Sequence, residues 1–250
     1  MSGPGVAGRG YSDEQWLICS LARQLRNGET IAAGNLSPIP AAAALLAQAT
    51  HAPQATVFIL GSPDWPFDGT KEFFDFLQRG GVDVFFLSGG QIDRFGSINL
   101  QAIGDAERPK VRLPGGAGSA VVAYACKRVL LFKTDHTVKG FPAQVDTTTS
   151  TFREEAGVFR RGRLEGVFTP LGTLRPQPPD GALRLAETAP GVTPDEVQAR
   201  TGFDVLASVP PARFAQAEVP TAAELDALRG VVFERLLPVY PVFARNALGD

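Results

Sequence analysis

Apolar residues recur along this chain with two alternating patterns. After a capping box of Ser12 and Gln15, leucines follow one another every four residues, which predicts an amphipathic helix that ends at Asn27-Gly28. Short continuous apolar runs predict strands buried on both faces, as in a parallel sheet covered by helices. Such strands are predicted at 30–33, 56–60, 82–87 and 128–133, and helices between them at 41–49, 71–78 and 119–126.

This order of elements predicts an α/β fold whose open, mostly parallel sheet is flanked by helices. The pattern loosens after about residue 140. It then predicts short strands at 159–160, 166–169 and 182–186, a helix that begins at Thr193-Pro194, and a last helix at 221–228. We expect residues 1–11 to form a glycine-rich flexible arm and residues 12–250 to form one domain.

Charge and composition exclude several functional classes. The 250 residues include 24 Lys and Arg against 26 Asp and Glu, a net charge of −2, so the chain lacks the basic excess of a protein that binds nucleic acid or an anionic membrane. No apolar run reaches 18 residues, and the N-terminus has no apolar core of a signal peptide, which favours the cytoplasm. Cys19 and Cys126 lie in apolar stretches and are predicted to be reduced core thiols, and two histidines do not predict a metal cluster.

Glycines cluster at two positions where a ligand could approach the backbone. Gly89 and Gly90 follow the predicted strand 82–87, at the end of a strand where ligands bind in open α/β sheets. The turn from Asp93 to Gly96 that comes next is also typical of a plain hairpin, and spacing alone favours the hairpin.

The second cluster contains Gly115, Gly116 and Gly118, ahead of a predicted helix. Amides in such a loop attract phosphate, carboxylate or a developing oxyanion. No Gly-Lys-Ser/Thr follows, so the loop is not a phosphate-binding P-loop. Close packing of the helix without any ligand explains the glycines equally well.

Three further polar segments have a functional and a structural interpretation. His136 beside Asp135 could be a general base with its orienting carboxylate, but a lone histidine is more often a hydrogen-bonded structural residue. The run 147–151 could supply hydroxyls to a ligand or form a solvated loop. The basic run 160–163 could contact an anionic cofactor, although a solvated turn is the commoner case.

Taken together, these segments resemble the β subunit of the class I coenzyme A transferases, such as the glutaconate and 3-oxoacid CoA-transferases. The resemblance runs from about Tyr11 to Leu228. The segments that carry it are the helix start at 11–15, the turn 25–29, Gly34 ahead of Pro38, the Thr-His-Ala-Pro at 50–53, the stretch 83–97, the glycine-rich loop 114–118, and the late motif with 189–193, Val197 and 201–203.

One departure from the family pattern concerns the nucleophile. In the transferases a glutamate follows the strand that matches 56–60, and its carboxylate attacks the thioester to form an anhydride and then a glutamyl-CoA thioester. Ile59, or Leu60 if the register slips, occupies that position here. An aliphatic side chain cannot be acylated. Asp64, beyond a proline, is the nearest acid and a weak substitute.

The resemblance therefore points to a diverged branch of the family, in which a heterodimer hydrolyses a carbon–carbon bond of a cyclic β-oxo acyl-CoA during steroid-ring breakdown. It implies the CoA-transferase (NagB/RpiA-like) fold, coenzyme A as part of the substrate, no permanent cofactor or metal, and a homologous α subunit, in a heterodimer or α2β2 assembly, that carries the catalytic glutamate. A true CoA-transferase subunit and a non-catalytic scaffold remain the alternatives.

The resemblance also implies which residues bind the acyl-CoA. The amides of the glycine-rich loop would face the thioester oxygen, the residues after the strand 82–87 would line the acyl or pantetheine channel, and the turn after them would be held by an aspartate and a glycine. The implied residues are Asn35, Gly61, Ser62, Gly89, Gly90, Gln91, Asp93, Gly96, Gly115, Gly116 and Gly118.

Overall fold

The computed structural model describes residues 10–153, 157–207 and 214–249, which fold into two compact units. The first unit contains residues 10–65 and 218–249, and the second contains the residues between them. Most of the predicted N-terminal arm, residues 1–9, lies outside the described residues. No helix of the described ranges is long and apolar enough to cross a membrane.

The helices and strands have the following bounds. The helices are α1 (Asp13–Ala22), α2 (Pro38–Thr50), α3 (Gly69–Gln78), α4 (Ser119–Ala125), α5 (Pro194–Ala199), α6 (Ala222–Ala227), α7 (Phe233–Leu236) and α8 (Pro241–Phe243), with π-helical turns at Leu228–Val232 and Ala244–Leu248. The strands are β1 (Thr30–Ala33), β2 (Thr56–Ile59), β3 (Val84–Leu87), β4 (Gln91–Ile92), β5 (Ile98–Asn99), β6 (Ala102–Ile103), β7 (Val111–Arg112), β8 (Arg128–Phe132), β9 (Arg163–Thr169), β10 (Gly172–Gln177), β11 (Ala182–Thr188) and β12 (Ala215–Gln216).

The first unit packs helices around the alanine-rich helix α2. Every residue from Ile39 to Ala47 is buried, because α1 and the C-terminal helices cover α2 on several sides and its small side chains allow close approach. Strands β1 and β2 pair in parallel, so the chain leaves both strands at the same edge. That edge is where the implied residues Asn35, Gly61 and Ser62 lie.

Two predictions in this unit were wrong in detail. Helix α1 ends at Ala22 rather than at Asn27-Gly28. The backbone amides of Gln24 and Leu25 donate to carbonyls three residues earlier, which is the hydrogen-bond spacing of a 3₁₀ turn and not of an α-helix. Strand β2 is not buried on both faces: Thr56 is exposed and only Ile59 is buried. The capping box of Ser12 and Gln15 is confirmed.

The second unit contains a mixed sheet in the order β12-β11-β10-β9-β8-β3. Strands β3, β8 and β9 run in parallel, and β3 and β8 are almost entirely buried, which confirms the predicted runs 82–87 and 128–133 apart from their ends. Strands β9, β10 and β11 form an antiparallel meander, and β12 joins β11 in parallel.

The predicted strands after residue 140 were partly wrong. The segment 159–160 is not a strand, because the chain there bends so that Gly162 donates to the Tyr124 carbonyl near the end of α4. Strand β10 was missed because it contains Pro176. Pro176 pairs with Leu183 of β11, whereas the pairing between β9 and β10 ends at Leu174. The missing N–H of Pro176 therefore interrupts no hydrogen bond between β9 and β10. The predicted helix start at Thr193-Pro194 is confirmed, with a second capping box.

Candidate functional site

The loops that follow β1 and β2 contain three of the residues that the sequence implied. In the first loop the Asn35 side chain accepts a hydrogen bond from the Leu36 amide (3.0 Å), and Leu36 has a φ of +52°. In the second loop Ser62 Oγ accepts from the Asp64 amide (3.2 Å), next to Gly61 with a φ of +89°. Both side chains therefore also stabilise their own turns.

Ile59 ends strand β2 and is buried, with 6% of its surface exposed. Leu60 continues the parallel pairing by donating its amide to the Ala33 carbonyl (3.0 Å). Neither side chain can act as a nucleophile. Asp64 is exposed and lies beyond a turn closed by the Ser62 amide on the Ile59 carbonyl (3.0 Å), five residues after the end of the strand.

The hairpin of β4 and β5 follows β3 directly, as the hairpin interpretation predicted. Asp93 holds its turn, since one carboxylate oxygen accepts the amides of Phe95 (2.9 Å) and Ser97 (3.0 Å). Gly96 takes a φ of +75°, which favours glycine. Asp93 and Gly96 therefore have the turn-holding role that we expected.

Gln91, which we expected to line the substrate channel, belongs to a buried polar network. Its amide oxygen accepts from Asn99 Nδ2 (2.8 Å) and from the Asp146 amide (2.9 Å), and its amide nitrogen donates to Asp146 Oδ2 (3.1 Å). Asn99 in turn donates to the Ala102 carbonyl (2.6 Å). This network fixes the hairpin against the segment that precedes the threonine run.

Gly89 and Gly90 lie beside the glycine-rich loop. A Cβ on Gly90 would come within 2.7 Å of Leu113, and the Gly115 amide donates to the Leu100 carbonyl (2.7 Å) just after β5. The second unit therefore brings the two glycine clusters of the sequence together.

The glycine-rich loop itself combines the two interpretations that we left open. Side chains on Gly116 and Gly118 would collide with Thr149 and with the ring of Phe74, so packing excludes them. At the same time, the amides of Gly116, Ala117 and Gly118 have no acceptor within the described residues, whereas the Gly115 amide has one. The loop therefore offers free donors at Gly116 and Gly118.

Sequence reasoning missed Lys133, which lies at the end of β8 and is almost fully buried. Its ammonium group donates to the Gly89 carbonyl (3.0 Å) and pairs with Asp135 (3.3 Å). A lysine that follows four apolar strand residues was the available signal. Lys133 fixes the backbone at the entry to the first glycine cluster.

His136 is a structural residue, as the commoner interpretation predicted. Its Nδ1 lies 2.8 Å from Thr169 Oγ1 and its Nε2 lies 3.0 Å from Thr201 Oγ1, and its ring stacks on Phe141 with centroids 4.2 Å apart. Burial lowers the pKa of the imidazole from 6.5 to about 4, so it is neutral at neutral pH. Asp135 is exposed and pairs with Lys133 instead of orienting the ring.

The other polar segments mostly have structural roles. Thr149 Oγ1 accepts from the Leu100 amide (2.9 Å) and Ser150 Oγ donates to Ser119 Oγ (2.9 Å), so the threonine run braces the glycine-rich loop. Arg160 donates to the Thr151 carbonyl and lies over the Tyr124 ring. Both cysteines are buried free thiols, and no group of three or more His, Cys, Asp or Glu within the described ranges could hold a metal ion.

Comparison with known proteins gives matches over most of the chain. Residues 62–200 match the family model described as Coenzyme A transferase. The chain is 32% identical to the B subunit of the 3-oxoadipate CoA-transferase of Pseudomonas knackmussii, over 88% of this chain and 93% of that one. It is 30% identical to the cholesterol ring-cleaving hydrolase IpdB subunit of Rhodococcus jostii, over 69% of each chain.

Solved structures support the fold. The chain superimposes on glutaconate coenzyme A-transferase from Acidaminococcus fermentans with a TM-score of 0.79, over 97% of this chain and 99% of that chain, at 21% identity. This likeness confirms the predicted open, mostly parallel α/β sheet with flanking helices.

Proposed function

Because the chain belongs to the coenzyme A transferase family, we propose that it is the β-type subunit of a heteromer that opens a carbon–carbon bond of a cyclic β-oxo acyl-CoA by hydrolysis. The observation that carries this proposal is the aliphatic residue Ile59 at the end of β2, where the transferases that this chain resembles have a glutamate. A reaction that needs no acylated residue on this chain is compatible with Ile59, and hydrolysis of a β-oxo acyl-CoA is such a reaction.

The proposed chemistry places the developing charge on the thioester. Water adds to the β-oxo carbonyl carbon, the bond between the α and β carbons breaks, and its electron pair passes to the α carbon as a thioester enolate. A proton then returns to the α carbon, and the former ketone becomes a carboxylate. The thioester bond to coenzyme A stays intact, so no residue of this chain has to carry an acyl group.

In this scheme the glycine-rich loop stabilises the enolate. Its negative charge resides largely on the thioester oxygen, and the amides of Gly116 and Gly118 are donors without an acceptor within the described residues. Preorganised amides stabilise such a charge without having to reorient during the reaction. The other residues proposed to contact the substrate are Gly89 and Gly90, with Gln91 holding their hairpin, and Asn35, Gly61 and Ser62.

The general base would come from a second polypeptide. Two relatives that match this chain are named as B subunits of their enzymes, which supports a homologous α-type partner in a heterodimer or α2β2 assembly. The carboxylate of that partner would activate the water, and coenzyme A would enter as part of the substrate without a resident metal or cofactor. A cytoplasmic location stays a prediction from the sequence.

A true transferase is the second candidate, because the match to the B subunit of 3-oxoadipate CoA-transferase extends over 88% of this chain. The two functions differ in what becomes of coenzyme A. Mass spectrometry of the acyl-CoA pool, after incubation of a cyclic β-oxo acyl-CoA with the co-expressed heteromer, separates them.

The proposal predicts an acyl-CoA product that gains one water molecule, with no free coenzyme A and no need for an acceptor acid. Transfer of coenzyme A to an added carboxylic acid would support the transferase instead. No turnover of any thioester by an intact heteromer would support a scaffold subunit. The same assay on an Ile59→Val control should leave the rate within a few-fold, because no chemistry is assigned to that side chain.

A further inference from the structure

The peptide bond between Gly89 and Gly90 is held at both of its polar ends. Its carbonyl, on Gly89, accepts from the ammonium group of Lys133 (3.0 Å), and its N–H, on Gly90, donates to the Asn99 carbonyl (2.8 Å). A pair of glycines permits many backbone conformations, and two hydrogen bonds on one peptide group select one of them. The bond from the ammonium group is the stronger of the two, because its donor is charged. The orientation of this peptide therefore depends mainly on Lys133.

The side chain of Lys133 is almost entirely enclosed, since only 10% of it is exposed. A Cβ at Gly140 would come within 2.9 Å of Lys133 Cε, so a larger residue there would collide with the stem of the lysine. Gly140 is itself held beside the hairpin of β4 and β5, because its carbonyl accepts from the Ile92 amide (2.9 Å). A glycine at position 140 therefore leaves the space that the lysine needs to reach the Gly89 carbonyl.

The charge of Lys133 is only partly compensated. Within the described residues it pairs with Asp135 (3.3 Å), whose side chain is 54% exposed and therefore remains solvated. An ammonium group has three N–H donors, and the Gly89 carbonyl and the Asp135 carboxylate account for two of them. Taking a charge out of water is costly, and an apolar side chain of similar volume often stabilises a fold as well as a buried ion pair does. A cation at this position therefore favours a role in the reaction over a role in stability.

The peptide that Lys133 holds lies beside the glycine-rich loop. Its N–H donates to the Asn99 carbonyl, and the Gly115 amide donates to the next carbonyl along the chain, that of Leu100 (2.7 Å). The peptide and the loop therefore adjoin the same short segment after β5. A negative charge that develops on a thioester in contact with these glycines lies within the range of the charge on Lys133.

We propose that Lys133 is a positioning residue for the proposed reaction, an inference that rests on the proposed function and deepens it. The lysine does not touch the substrate. It fixes the peptide of Gly89 and Gly90, against which the thioester lies, and its charge favours the enolate over the neutral thioester from which the enolate forms. Because this negative charge develops only during the reaction, Lys133 accelerates the chemical step and contributes little to substrate binding.

The test is steady-state turnover of a cyclic β-oxo acyl-CoA by the heteromer, with kcat and KM measured separately. Lys133→Met keeps the length of the side chain but removes its charge and its bond to the Gly89 carbonyl. We expect kcat to fall at least about tenfold while KM stays within about threefold of the wild-type value. The matched control is Lys139→Met, the same substitution at an exposed lysine of the same segment, which should leave both constants unchanged.

Thermal unfolding separates this role from a purely structural one. Lys133→Met should leave the melting temperature of the heteromer within a few degrees of wild type, because the lost hydrogen bond is offset by the removal of a buried ammonium group. A fall in kcat at an unchanged melting temperature and KM supports the positioning role. A rise in KM with kcat unchanged would overturn it, because the lysine would then contribute equally to the binding of substrate and transition state.

The outcomes also separate this inference from the proposed function. If the wild type adds water to the substrate and Lys133→Met does so at the wild-type rate, the positioning role is wrong while the proposed function stands. If the wild-type heteromer adds no water, the proposed function fails and the positioning role with it. Should Lys133→Met not assemble with its partner, the uncharged Lys133→Gln decides the question by the same criteria, with Lys139→Gln as its control.

Discussion

The buried histidine gives the fold a pH dependence that can be worked out in advance. The unfolded chain takes up a proton at His136 below about pH 6.5, whereas the folded chain keeps the imidazole neutral until about pH 4, because burial lowers its pKa. Between these values the unfolded state binds more protons, so the free energy of unfolding falls as the pH is lowered through this window. A pKa difference of this size corresponds to about 3 kcal/mol.

The measurement is urea unfolding of the wild type and of His136→Gln at several pH values between about 7.5 and 4. The glutamine removes this titration while its amide can still reach the flanking threonine hydroxyls. Carboxylates titrate in both proteins, so the difference between the two free energies isolates the histidine. We expect wild type to lose about 3 kcal/mol relative to the variant on going from about pH 7 to pH 4.

A difference between the two proteins that stays constant across this range would refute the reasoning, because it would mean that the imidazole has the same pKa in the folded and unfolded chains. Titration of the His136 ring protons by NMR is an independent check. The signal should shift with a midpoint near pH 4, and a His51→Gln variant assigns it unambiguously.

Three further substitutions test other parts of the structure by urea or thermal unfolding. Thr147→Val should stabilise the free chain by about 1 kcal/mol, since it removes a buried hydroxyl without a partner, and a loss of stability would show that the hydroxyl is satisfied. Gly118→Ala should cost about 1–3 kcal/mol because the new methyl group meets the ring of Phe74, and an unchanged free energy of unfolding would contradict the packing argument. Arg23→Gln should lower the free energy of unfolding by about 2 kcal/mol, because Arg23 binds both carboxylate oxygens of Glu224 (2.8 and 2.7 Å). If the loss in the double variant with Glu224→Gln equalled the sum of the two single losses, the two side chains would not be coupled and this reasoning would be wrong.

Local sequence signals predicted much of the fold because the interactions behind them are local. The capping boxes at Ser12 and Thr193 join residues three apart, and the turn of Asp93 joins residues up to four apart. Buried parallel strands also leave a continuous apolar run, which located β3 and β8. These features need no knowledge of the rest of the chain.

Long-range contacts explain what could not be predicted. Lys133 bonds to Gly89, 44 residues away, and Gln91 bonds to Asp146, 55 residues away. Strand β10 contains a proline that is tolerated only because of where its neighbour β9 ends. The amides of the glycine-rich loop were predicted as a group, but only the fold distinguishes the engaged amide of Gly115 from the free ones that follow it.

The comparisons confirm the resemblance to the coenzyme A transferases. Ile59 is the position where this chain differs from the family pattern, which has a glutamate there. The family match supplies the fold and the class of substrate, whereas the proposal that this chain carries no nucleophile rests on the residue at the end of β2. We therefore propose that this chain supplies amide donors and that its partner supplies the carboxylate that activates water.

Acylation of a carboxylate on this chain can be measured by the intact mass of this polypeptide, after the working heteromer has turned over its acyl-CoA and been quenched with borohydride or hydroxylamine. Either reagent should react with a glutamyl-CoA thioester and change the mass of the chain that carries it. We expect the mass of this chain to stay unchanged while substrate is consumed. A mass change on this chain that maps to Asp64, or to any other carboxylate of it, would contradict the proposed hydrolysis, because it would mean that a carboxylate of this chain is acylated during turnover.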